Sequence, residues 1–363
     1  MAKQPRELSE KSLRLRAASR DDDGFFSTFV LRKISRRITS ILVETSIKPN
    51  FITFLSIVIG LLAALCSAQG RYLLGGLLLL ASLVFDCIDG EIARYKSQFS
   101  ALGAWLDALS DRVKEFAYIA GLIYSLHEEK GWWIGMAIVI LQTIRHLSDY
   151  NFVRTQKLFE DNSILKHNRK TFLYWIKKII NLPIGERWLL LAILPLVISV
   201  TTTLRVALYL SMLSFVIVIF SRLKRIRKWK VSNSNAQFMI NQRDTVLPLS
   251  FRNEQIKIAW SFPSILRALE FLALVVMPLD ISPLTRFSLI CSISIWHYTN
   301  LYDALQDRVT KFGGAGLRMA GRISLIFIAH LVGLDFEITA FMTIYLITLV
   351  LLRGGQNVVK GVS

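Results

Sequence analysis

Two short stretches carry the chemistry. Asp86-Cys87-Ile88-Asp89-Gly90-Glu91-Ile92-Ala93-Arg94 closes one apolar run, and Gly103-Ala104-Trp105-Leu106-Asp107-Ala108-Leu109-Ser110-Asp111 opens the next. Together they read D-x2-D-G-x2-A-R-x8-G-x3-D-x3-D. Ionisable groups beside hydrocarbon-length segments are costly and mark functional sites. Asp86 and Asp89 are three residues apart and Asp107 and Asp111 four apart, so each pair shares a helix face. The loop 95–101 is short enough to make the two helices antiparallel neighbours, which brings all four carboxylates to similar depth. Such a cluster repels itself unless cations neutralise it. An all-oxygen donor set favours hard ions such as Mg2+, Mn2+ or Ca2+ over zinc. Four carboxylates can bridge two divalent ions, an arrangement suited to clamping a phosphoryl group. Gly90 and Gly103 let a ligand approach backbone, and Arg94 supplies a fixed cation where a diphosphate would lie. A lone aspartate pair near a helix end is ordinarily a solvated terminus; the two glycines, Ala93 and Arg94 in register argue against that. The alternative from another functional class is an ion-coupled transporter using the intramembrane aspartates, which has no need of the Gly–Ala–Arg spacing.

The elements that must position these groups are legible from hydropathy. The 363-residue chain is 53% hydrophobic, which is too apolar for a soluble protein of this size, and several windows of about 18 nearly uncharged residues predict an all-α integral membrane protein. Apolar helices are expected at about 50–68, 72–94, 102–126, 131–150, 184–202 and 204–222, then at 262–280, 284–302, 317–334 and 336–353. Arg and Lys concentrate in segments 1–49, 150–183, 222–261 and 303–322, whereas the opposing turns are nearly free of them. Ten spans with both termini cytoplasmic satisfy the positive-inside rule at every loop. Four regions follow: a disordered polar arm, 1–24; a six-helix catalytic membrane domain, 25–222, opened by an interfacial amphipathic helix at 25–46; a basic cytoplasmic linker, 223–261; and a four-helix membrane extension, 262–363. Residues 171–180 read as a second interfacial helix.

The net charge of +18 lies between apolar segments and not on a groove-forming soluble surface, so it implies anionic lipid headgroups and no nucleic acid. The first 24 residues are polar and carry no secretory-signal pattern. Cys66, Cys87 and Cys291 have no paired spacing and indicate neither a disulfide framework nor a zinc site.

With these motifs the chain resembles the CDP-alcohol phosphotransferase (CDP-alcohol phosphatidyltransferase) family, every fixed position of whose signature is present. In weaker form the resemblance runs from the amphipathic helix through Pro49-Asn50-x2-Thr53 to about residue 222. It implies a six-helix bundle, a homodimer, and a site open to the cytoplasm, here of a bacterial plasma membrane. The implied reaction moves a substituted phosphate from a CDP-alcohol donor, either CDP-diacylglycerol or a CDP-linked polar alcohol, to an acceptor alcohol. CMP is released, and the setting is phospholipid or related lipid biosynthesis. By the same resemblance Asp86, Asp89, Asp107 and Asp111 hold Mg2+ or Mn2+, two ions in all. Asp111 is also the general base. Gly90, Ala93 and Gly103 pack against the cytidine, Arg94 lies near the diphosphate, and Asn50 and Thr53 contribute from the first helix.

Beyond the signature, Arg145 and Arg187 are candidates for holding a phosphorylated acceptor. The ordinary reading is that Arg145 is a positive-inside anchor and that Glu186, next to Arg187, complements a helix N-terminus. His146 and His297 read as packed histidines. Arg112 and Glu115 share the helix of Asp107 and Asp111, and no role is assigned to them from the sequence.

Overall fold

The structure, a computed structural model, describes residues 10–19, 24–157, 159–160, 172–231, 237–239, 250–252, 256–305 and 314–359. In chain order its helices are α1 (Glu10–Ala18), a π-helical turn (Ser27–Leu31) running into α2 (Arg32–Leu42), α3 (Pro49–Ala68), α4 (Tyr72–Tyr95), α5 (Ala101–Tyr124), α6 (Glu129–Gln156), α7 (Phe172–Ile180), α8 (Ile184–Ile193), α9 (Val200–Ile226), α10 (Ile256–Ala259), α11 (Phe262–Val276), α12 (Pro283–Leu305), α13 (Met319–Leu331) and α14 (Asp335–Val359). Strand among the described residues is confined to two short antiparallel pairs, β1 (Phe159–Glu160) with β2 (Lys230–Val231) and β3 (Gln237–Met239) with β4 (Ser250–Arg252). A helix occupies each of the ten expected apolar segments, but that of 184–202 ends at Ile193 in a short 3-10 turn and that of 317–334 is shortened to Met319–Leu331. Five, within Pro49–Ala68, Tyr72–Tyr95, Val200–Ile226, Lys257–Val276 and Asp335–Gly354, are long and apolar enough to cross a membrane. A bent pair, Tyr174–Ile180 with Ile184–Leu196, makes a sixth if it is one broken span. The chain is a multi-pass membrane protein.

It divides into two compact units, neither contiguous in sequence. The first comprises Met1–Leu126, Trp175–Thr203 and Asn357–Ser363; the second comprises His127–Tyr174 and Leu204–Gln356. The expected domain 25–222 therefore contains residues of both units. Parts of the linker 223–261 and of the arm 1–24 lie outside the described residues.

In the first unit α3 is the central element, packed along both α4 and α5. Pro49 at its first turn follows an extended Lys48, which suits a residue that has no N–H to leave unbonded. Apart from Ile52, its buried positions Thr53, Ser56, Gly60, Ala63, Ala64 and Ser67 are small and lie along one face. Small residues let helix backbones approach where lipid gives no hydrophobic drive for association. Gly70, at φ +74°, turns the chain from α3 into α4. Ser100 caps α5, its hydroxyl accepting from Gly103 N at 2.9 Å. α8 packs on α4.

The expected interfacial helix 25–46 is built as the π turn plus α2, and it docks by its polar face. Glu91 lies about 140° around α4 from Asp86, at about 100° per residue. It is buried and accepts from Ser35 Oγ at 2.8 Å, Thr39 Oγ1 at 2.7 Å and Arg32 Nη1 at 3.2 Å. Ile34 and Ile41 face outward, as a helix in the headgroup layer requires. Phe25 and Phe29 meet Trp175 of α7 with ring centroids 5.7 and 5.0 Å apart, so both interfacial segments share an aromatic contact.

One expectation is corrected here. Residues 10–18, read as disordered, form α1, which packs on α4. Ala18 is buried, Arg94 Nε donates to its carbonyl, and Lys11 pairs with Glu44. The arm lacks apolar periodicity because polar contacts and not a greasy face hold it.

In the second unit α6 packs on α11 and α12. His146 Nδ1 lies 2.7 Å from Tyr298 Oη, and His297 Nε2 lies 3.0 Å from Glu270 Oε2. Glu270, Arg267 and Arg322 form a buried ionic cluster joining α11 to α13. Phe152, Phe159, Trp229 and Trp260 make an aromatic core.

Replacing Glu91 by Ala should remove the buried acceptor that Arg32, Ser35 and Thr39 share and cost about 3 kcal/mol. This is readable as a lowered thermal midpoint of the detergent-solubilised protein; an unchanged midpoint would mean α2 is held by other contacts.

Candidate active site

The signature residues of α4 fall on one face. Asp86, Asp89, Gly90 and Ala93 lie within about 100° of arc at 3.6 residues per turn. On α5, Gly103, Asp107 and Asp111 share the facing side. One carboxylate oxygen from each of Asp86, Asp89 and Asp107 lies within 4.8 Å of the others. That spacing and an all-oxygen donor set fit a hard divalent cation. Asp111, the fourth, is turned to a neighbour that sequence reasoning did not single out: Lys114 Nζ stands 3.2 Å from Asp111 Oδ1 and 2.8 Å from Asp86 Oδ1.

α3 completes the site. Thr53 Oγ1 donates to Asp89 Oδ2 at 2.6 Å and fixes that carboxylate. Asn50 stands over Gly103: a Cβ there would lie 2.6 Å from Asn50 Oδ1. The missing side chain is what lets α3 and α5 converge. The Arg94 guanidinium folds back along its own helix to Gly90, where a Cβ would meet Nη1 at 3.0 Å. Asn50, Thr53, Gly90, Arg94 and Gly103 are thus gathered around the aspartates, with Ala93 half-buried on the same face of α4.

The two acceptor candidates are engaged elsewhere. Arg187 opens α8, is buried, and makes a two-pronged ion pair with Glu115: Nε to Oε1 at 2.6 Å and Nη2 to Oε2 at 2.9 Å. Arg112 Nη1 adds a third bond to Glu115 Oε2 at 3.1 Å. Arg112 and Glu115 therefore join α5 to α8. Arg145 belongs to the second unit, where Nη1 donates to Ser214 Oγ at 2.8 Å.

Residues 46–220 match the family model for CDP-alcohol phosphatidyltransferase. This region of the chain belongs to that family. A relative named bifunctional IPC transferase and DIPP synthase, from Aquifex aeolicus, is 35% identical over 137 residues, covering 35% of this chain and 31% of its own length. One of the same name from Thermococcus kodakarensis is 34% identical over 34% of this chain and 28% of its own. A phosphatidylinositol phosphate synthase from Mycobacteroides abscessus is 31% identical over 30% of this chain and 47% of its own length. The matched segment thus spans less than a third of the first two relatives. Among solved structures, a Mycobacterium tuberculosis phosphatidylinositol phosphate synthase with CDP-DAG bound aligns over 56% of this chain and 99% of its own, at 21% identity and a TM-score of 0.38.

In the CDP-alcohol phosphatidyltransferase region, the hydroxyl of Thr53 is the cleanest test of positioning. Thr53→Val keeps the volume and removes the bond to Asp89. It should weaken Mn2+ binding about ten- to a hundred-fold, measured by calorimetric titration; unchanged affinity would show that Asp89 needs no such support.

Proposed function

We propose that this chain is a divalent-metal-dependent membrane transferase that moves a substituted phosphate from a CDP-linked donor to an acceptor alcohol and releases CMP. The observation that carries the reading is the convergence of Asp86, Asp89 and Asp107, with Asp111 adjacent, inside the segment that matches the family. Asp86, Asp89 and Asp107 would hold the ion. Bound there, Mg2+ or Mn2+ would neutralise charge on the donor's diphosphate. Arg94, at the end of α4, orients that diphosphate from the other side. Gly90, Ala93 and Gly103 leave a flat, side-chain-poor surface for the cytidine, and Asn50 lines it from α3.

Asp111 accepts the proton of the acceptor hydroxyl as its oxygen forms the new bond to phosphorus. The bond from that phosphorus to the CMP oxygen breaks, and CMP leaves with the electron pair. Positioning and charge neutralisation supply most of the rate in such transfers. We assign Arg187 to the α5–α8 joint and not to the acceptor. CDP-diacylglycerol and CDP-linked polar alcohols remain the two donor classes, and the names of the relatives put inositol phosphate first among acceptors to be tried. The Arg and Lys distribution supports a site on the cytoplasmic side of the membrane, which we take to be a bacterial plasma membrane.

The purified protein, given Mg2+ or Mn2+ and a panel of CDP donors and acceptors, should release CMP. Chelation should abolish the release, and Asp111→Asn should lower turnover by about two to four orders of magnitude. Metal- or proton-coupled flux in liposomes with no nucleotide requirement would overturn the reading, and full turnover in Asp111→Asn would remove the base assignment.

A further inference from the structure

Four carboxylates led to an expectation of two divalent ions, but the structure divides the set differently. Only Asp86, Asp89 and Asp107 form a ligand-length group among the described residues. Asp111 instead meets the ammonium of Lys114, which also meets Asp86.

Lys114 is built into this place. It is fully buried; its ammonium donates to Asp86 Oδ1 at 2.8 Å and Ser56 Oγ at 2.9 Å and makes an ion pair with Asp111 Oδ1 at 3.2 Å. Ser56 spends its own proton on Ser82 O at 2.8 Å, which aims its lone pairs at the lysine. Gly60, one turn further along α3, makes the channel for the lysine stem: a Cβ there would lie 2.6 Å from Lys114 Cγ and 2.7 Å from Cδ. The Trp188 ring of α8 lies 5.3 Å from Nζ and adds cation–π attraction. Groups from α3, α4, α5 and α8 thus converge on one ammonium. A lysine whose charge served only the membrane surface would extend to water.

The ammonium sits between Asp86 and Asp111 and takes one oxygen of each, where an ion bridging those two oxygens would lie. We propose that Lys114 is a resident cation that takes the place of a second metal, so that the site binds a single divalent ion on Asp86, Asp89 and Asp107. Asp86 is the shared member, offering Oδ1 to the lysine and its other oxygen to the ion. Asp111 is held by the lysine beside the ion and not beneath a second one. A positioning charge fixed to the backbone needs no free ion and sets the same two carboxylates at all metal concentrations. The inference rests on the reading of the aspartates as a divalent-ion site.

Mn2+ titration of the purified full chain in nanodiscs, read by calorimetry and by electron paramagnetic resonance, tests it. The wild type should bind about one ion per chain and lack the exchange-coupled spectrum of two ions about 3.5–4 Å apart. Lys114→Met should gain a second ion and that coupled spectrum, whereas Lys114→Arg should stay at one. Two ions in the wild type, or one in a folded Lys114→Met, would overturn the proposal. Should Lys114→Met not fold, Lys114→Met with Asp111→Asn removes one charge of each sign. It should bind one ion, and two ions there would overturn the proposal equally. No Mn2+ binding by the wild type would instead remove the divalent-ion reading, and this inference with it.

Discussion

The constraint on which the structure depends is electrostatic: acid side chains at membrane depth must meet positive charge or hydrogen-bond donors from another element. Ionised carboxylates are too poorly solvated there to stand alone. In the first unit every buried acid meets this requirement through a different helix. Glu91 of α4 takes Arg32, Ser35 and Thr39 from α2, and Glu115 of α5 takes Arg187 from α8. Asp89 of α4 takes Thr53 from α3. Asp86 of α4 takes Lys114 from α5. Between helices that lipid does not drive together, these pairs also set register, because sliding one helix by a residue would break them all.

The same rule explains why the site can be acidic without being unstable. Replacing a buried pair by apolar residues is often neutral, whereas removing one partner is costly. The pairs at Glu91 and Glu115 are closed, each acid saturated by donors from its neighbours. The aspartate face differs. Its three carboxylates converge on one point where α4 and α5 meet, Asp89 accepting from Thr53 of α3 and Asp86 from Lys114 and Ser110 of α5. Convergence of several carboxylates on one point, and not the pairing of each with its own cation, is what distinguishes a place for a cation from a structural ion pair.

Much of this was legible in the sequence. Hydropathy marked the apolar helices, five of them long enough to cross a membrane, because lipid and protein interiors both demand apolar residues over known lengths. The signature marked the aspartates because their spacing matches the helix repeat. What was not legible is pairing at long range. Asp111 and Lys114, three apart, look like an ordinary exposed helix pair. Only the three-dimensional placement of Ser56, Gly60 and Trp188 makes the lysine internal. Arg187 reads as a cation near a helix start and is a partner of Glu115 only once α8 is seen against α5. α1 escaped because its anchors are a carbonyl, a guanidinium and a surface ion pair, none of which leaves an apolar period.

Arg94 shows how the constraint carries over from fold to chemistry. Its Nε donates to the Ala18 carbonyl, which ties α1 to the end of α4. A guanidinium has five N–H donors in a rigid plane, so a bond through Nε fixes the plane while the terminal nitrogens, lying over Gly90, remain at the end that borders the aspartates. The arm thus orients a cation whose charge is directed to the site. A lysine at the same position would present a compact ammonium with no rigid plane, so its bond to the carbonyl would not aim its remaining donors. The bond to α1 therefore ties the signature's preference for arginine here to geometry as well as to charge.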